Sequence, residues 1–65
     1  MSTYHEKFRE VVADAADTAR TSGMPQVVSR VPFPDGTYTY DYAAVGATVP
    51  GDWTQVVIID PMPPR

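Results

Sequence analysis

A chain of 65 residues holds enough material for one hydrophobic core and one domain, near the lower limit of what folds without a disulfide or metal staple. It has no cysteine, which excludes a disulfide framework, a thiolate metal site and a nucleophilic thiol, and makes the cytoplasm the expected compartment. A formal charge of −3 argues against adhesion to nucleic acid or anionic lipid, no apolar run approaches the ~20 residues of a membrane span, and acids among the first ten residues do not suit a signal peptide.

Ser2 and Thr3 offer N-cap hydroxyls, and Thr3 to Glu6 has capping-box spacing, so a helix is expected to start there. Ser22-Gly23 followed by Pro25 is a stop signal, because Gly tolerates the left-handed cap and Pro cannot continue the ladder. The expected helix covers 4–22. Tyr4, Phe8, Val11, Val12, Ala15, Ala16 and Ala19 recur at three- and four-residue steps and form its apolar face.

Beyond Gly23 the period becomes two. In 26–33, Val27, Ser29, Val31 and Phe33 point one way while Val28 and Arg30 point the other. Pro32 cannot donate to a ladder, which suits an edge strand or a bulge. Pro34-Asp35-Gly36 predicts a tight turn and an antiparallel hairpin. The next strand alternates three tyrosines, Tyr38, Tyr40 and Tyr42, with Thr37, Thr39 and Asp41. Residues 43–52 contain Gly46, Pro50 and Gly51 and read as a loop. The last strand, 53–59, carries Val56-Val57-Ile58-Ile59, whose unbroken apolarity predicts contacts on both faces and a more central place. Residues 61–65 form a Pro-rich extended tail. The expectation is a single α+β domain over 1–60: one N-terminal amphipathic helix packed on a three-stranded antiparallel sheet, in the order α-β-β-β.

Catalytic chemistry finds little support. His5 is the one histidine; a triad drawn from Ser29, His5 and some carboxylate has no spacing to recommend it, so no catalytic residue is assigned. His5 and Glu6 diverge on a helix, Asp14 and Asp17 do not make a calcium loop, and no Gly-rich motif precedes a helix, so neither metal nor cofactor is expected.

Binding offers more. Glu6, Glu10, Asp14 and Asp17 lie four, four and three residues apart, a row of carboxylates opposite the apolar face. At steps of about 6 Å such a row approximates a line of phosphates and could dock against a basic protein surface; the plain alternative is a solvated helix face. Tyr38, Tyr40 and Tyr42 with Arg30 could stack single-stranded bases, or the tyrosines could roof the core beneath the helix, which the scarcity of basic residues favours. Trp53, after the Pro50-Gly51-Asp52 turn, is either a core anchor or a partner-binding hot spot. The second sheet face is expected to carry Val28, Arg30, Thr37, Thr39, Asp41 and one side of the last strand. That mixture is too polar for a second core yet able to accept a partner or a second copy, and the sheet edge beside Pro32 is a further route to a homodimer.

Val31-Pro32-Phe33, the Tyr38–Tyr42 strand, Val49-Pro50-Gly51-Asp52-Trp53 and Val56-Val57-Ile58 together resemble a pattern in small phage-borne accessory proteins. They are also similar to the β-rich N-terminal DNA-binding part of the primosomal helicase family, where a Tyr-rich strand precedes a Gly-Asp turn and a Val-rich strand. The acidic helix has no counterpart there. The phage resemblance implies a small non-enzymatic protein that binds and modulates or inhibits a host protein complex in the host cytoplasm. Glu6, Glu10, Asp14, Asp17 and Trp53 are its expected contacts, no membrane is involved and nucleic acid is disfavoured. The alternatives are a single-strand-binding mini-domain using Tyr38, Tyr40, Tyr42 and Arg30, and a structural subunit assembling through a sheet edge.

Overall fold

The computed structural model describes residues 3–61. Along them run α1 (Thr3–Ser22), β1 (Gln26–Pro32), β2 (Tyr38–Ala44) and β3 (Thr54–Ile59). The helix packs on one face of a three-stranded antiparallel sheet, so the α+β arrangement and the α-β-β-β order are those expected. The cap expected at Ser2 and the tail beyond Pro61 lie outside the described residues.

Local signals act where the sequence places them. The N–H of Gly23 donates to the Ala19 carbonyl at 2.8 Å with φ at +74°, a left-handed cap that satisfies one of the last carbonyls of α1. The β1–β2 hairpin closes on three residues: the N–H of Phe33 donates to the Thr37 carbonyl at 2.8 Å, and that of Gly36, at φ +91°, to the Phe33 carbonyl at 3.1 Å. One Asp35 carboxylate oxygen accepts from both the Thr37 N–H (3.0 Å) and the Thr37 hydroxyl (2.6 Å), which holds the Asp35 carboxyl below its ordinary value of 3.8.

Strand order departs from the expectation. The sheet runs β2-β1-β3, so β1 is central and β3, expected near the middle, is an edge. Pro32 sits at the last position of β1, opposite Tyr38, where its missing N–H costs little. The reason lies in the connection 45–53. A tight turn would have folded β3 back along β2; nine residues instead carry the chain to the opposite end of the sheet, where β3 pairs antiparallel with β1. Val56, Val57 and Ile58 are consequently 48%, 38% and 48% exposed.

Face assignment in β1 also differs. Cross-strand partners share a face, and the register pairs Val28 with Tyr42 and Arg30 with Tyr40. Val28 and Arg30 therefore stand on the helix side, not with Thr39 and Asp41. The far face carries Val27 with Ala43, Ser29 with Asp41, and Val31 with Thr39. Alternation separates the two sets of a strand but does not say which one meets the helix.

The core is small. Val11, Ala15 and Val28 are buried, with Phe8, Val12, Tyr40, Tyr42 and Ile59 packed around them. Ala15 and Ala19 are fully enclosed, so the alanine-lined half of α1 seats close to the sheet. The helix leans on β2 and β1 and barely reaches β3. A bulge between Val28 and Ser29 leaves Val56 as an extra residue on β3, so register and facing change there.

Candidate functional site

The acidic row forms as expected. Glu6, Glu10, Asp14 and Asp17 are exposed on the side of α1 away from Val11, Ala15 and Ala19. Asp17 pairs with Arg20 one turn on, and Glu6, Arg9 and Glu10 border a shallow depression. Among the described residues no ion pair holds Glu6, Glu10 or Asp14.

The tyrosines lie beneath and beside the helix. Tyr40 meets Phe8 edge-on at 5.0 Å and Tyr38 at 5.7 Å, and the Tyr42 hydroxyl hydrogen-bonds with Thr18 Oγ1 at 3.0 Å. Burial pushes the Tyr40 hydroxyl above its ordinary value, aided by Tyr38 and opposed by Arg30. The Arg30 guanidinium lies 5.0 Å from the Tyr38 ring centroid, a cation–π contact. Tyr40 and Tyr42 thus spend their faces on the fold.

Trp53 belongs to the opposite side of the sheet. The connection 45–53 runs along the far face, pinned by Val45 N–H to the Pro25 carbonyl (3.0 Å), Ala47 N–H to Ala44 (3.0 Å) and Trp53 N–H to Pro50 (3.2 Å). Between this connection and the strands opens a cleft of ≈ 270 Å³. Val27, Ala43, Val49 and the Trp53 indole supply apolar lining, while Ser29 and Gln55, register partners across β1 and β3, bring polar groups. Ser29 is buried although it faces away from the helix, because the connection covers it.

The sheet therefore separates the expected contacts. Glu6, Glu10, Asp14 and Asp17 lie on the helix side, Trp53 on the other, and no single flat partner reaches both. The cleft went unforeseen, along with Val27, Val49, Ser29 and Gln55. A signal was available: Val45, Ala47 and Val49 make the connection more apolar than a solvated loop needs.

No charged side chain lines the cleft, and His5 stands on the helix, across the sheet from Ser29. Ser29, whose register partner on β2 is Asp41, and Gln55 bring polar groups to an otherwise largely apolar lining. Among the described residues no group of three or more His, Cys, Asp or Glu could hold a metal ion, and no helix is long and apolar enough to cross a membrane.

No family model matches the chain, and neither curated proteins nor solved structures provide a match.

Proposed function

We propose that this chain is a non-enzymatic interaction protein that docks on a partner protein through the sheet face turned away from the helix, with Trp53 as the anchor of the contact. One observation carries the reading: large apolar side chains, among them Val45, Val49 and Ile58, stand exposed on or beside the walls of an uncharged cleft. Exposed apolar surface gathered around a concavity is the usual mark of a binding site, whereas scattered single residues are not. The cleft has room for one bulky apolar side chain of the partner, with Ser29 and Gln55 offered to its polar atoms.

The resemblance to small phage accessory proteins supports a setting in which such docking modulates a host complex in the cytoplasm. A partner with a basic surface, held by Glu6, Glu10, Asp14 and Asp17, is the second reading, favoured by the exposure of all four carboxylates. Base stacking by Tyr38, Tyr40 and Tyr42 is the weaker alternative, because two of the rings are engaged with α1.

Variants on the two sides of the sheet separate these readings. Partner capture from a host lysate is expected to be lost with Val49→Asp and kept with Glu10→Lys/Asp14→Lys. Trp53 is the only tryptophan, so its emission should shift to the blue when the captured partner is added. The reverse pattern would transfer the function to the acidic face, and loss with neither would remove both.

A further inference from the structure

The two free edges of the sheet are not alike. On β2 the Asp41 carboxylate accepts the backbone N–H of Tyr42 at 2.8 Å, so a side chain occupies an amide that would otherwise offer itself to a foreign strand. A charge at mid-strand and the cover of α1 protect this edge further. On β3 the run Gln55–Ile59 contains no charged residue, no proline and no short polar side chain able to fold back on its own backbone. The helix leaves it nearly bare, and Val56, Val57 and Ile58 are exposed.

We infer that β3 pairs antiparallel with β3 of a second copy of this chain, across a two-fold axis at Ile58, to give a continuous six-stranded sheet with both helices on one face. This goes beyond the docking proposed above and does not depend on it. Unpaired N–H and C=O groups along an edge are complemented by another strand rather than by an apolar surface in general.

The register follows from geometry. A two-fold perpendicular to the sheet reverses strand direction and preserves faces, so a residue must sit opposite itself. The Tyr42 N–H, held by Asp41, points away from β1. Alternation of the ladder then turns the groups of Val28 and Val57 toward each other and those of Ile58 out to solvent. An axis at Val57 would bring the bulge at Val56 inside the new ladder and set Gln55 and Ile59 on conflicting faces. An axis at Ile58 leaves 57–59 regular, with the bulge residue Val56 at one end and Pro61, which has no N–H, beyond the other. Ile58 then meets its own counterpart, and Val57 meets Ile59, apolar against apolar on both faces.

Charge permits the same arrangement. Asp60 falls opposite Val56 rather than another acid, and α1, seated over β2 and β1, keeps the two acidic rows about 20 Å apart, beyond a Debye length of ~8 Å at physiological salt. A short strand-to-strand contact is small by the standard of stable interfaces, so the dimer is expected to dissociate on dilution.

Sedimentation equilibrium of the full chain over a range of concentrations tests this. The wild type should approach a dimer at high concentration and stop there. Ile58→Lys and Ile58→Glu, each placing like charges face to face, should weaken association about tenfold or more, and a one-to-one mixture should restore it. The chain lacks cysteine, so Ile58→Cys, a milder change, should cross-link to itself on oxidation while Val49→Cys should not. A wild type monomeric at every concentration, undiminished association of Ile58→Lys, growth beyond a dimer, or equal cross-linking at position 49 would each overturn the inference.

Discussion

Val28 bears more of this fold than its size suggests. Among the described residues it is the one fully buried side chain larger than alanine, set beneath α1 beside its register partner Tyr42. Val28→Ala is expected to cost about 2–3 kcal/mol, against a total of ~3–5 kcal/mol for a core of this size. Urea titration should then show the midpoint falling by roughly half. Tyr42→Phe removes only the hydrogen bond to Thr18 and should cost about 0.5–1.5 kcal/mol in the same titration. Tyr40 gives a pH signature. Its hydroxyl is raised in the folded state, so its contribution is fully present below the ordinary value of 10.0 and is lost as pH rises through the folded value. Phenolate absorbance should show this tyrosine ionising at higher pH than an unperturbed one, with Phe8→Ala moving the step back down.

At the level of elements, the ends matter more than the interiors. Gly23→Ala forces a Cβ into the left-handed region and should cost about 1–2 kcal/mol, although nothing crowds that position. Thermal melts can check this against Gly51→Ala, where φ carries no such constraint and little should change. The β1–β2 turn depends on the Asp35 carboxylate. Because its pKa is lowered in the fold, its contribution is present above the unfolded value of 3.8 and disappears as pH falls through the folded value. Amide exchange at Thr37 should quicken over that acidic range in the wild type and lose its pH dependence in Asp35→Asn.

On the scale of the whole molecule, one helix on one sheet makes a thin body, 13 Å across its shortest Cα dimension. Only one face of such a sheet can be covered by the helix. The connection 45–53 partly covers the other and leaves the cleft at Trp53. Glu10 and Asp14 of the acidic row are exposed on α1 and make no ion pair among the described residues. Glu10→Lys/Asp14→Lys should therefore keep the fold and even stabilise it by a few tenths of a kcal/mol per relieved pair, as read from the thermal midpoint in low salt.

What was legible in the residues was local. The apolar face of the helix and its stop at Gly23, the turn at Asp35 and Gly36, the alternating tyrosine strand and the carboxylate row all follow from chemistry acting within a few positions of the chain. Strand order did not, because Val56–Ile59 has the same apolar look at an edge as in the middle; only its neighbours differ. Nor did the sidedness of β1, since alternation is symmetric until a register such as Val28 with Tyr42 breaks the tie. The cleft depends on both. Val27, Ser29, Val49 and Trp53 come together only after nine residues choose to run the length of the sheet rather than turn back, a choice made by long-range pairing with β1.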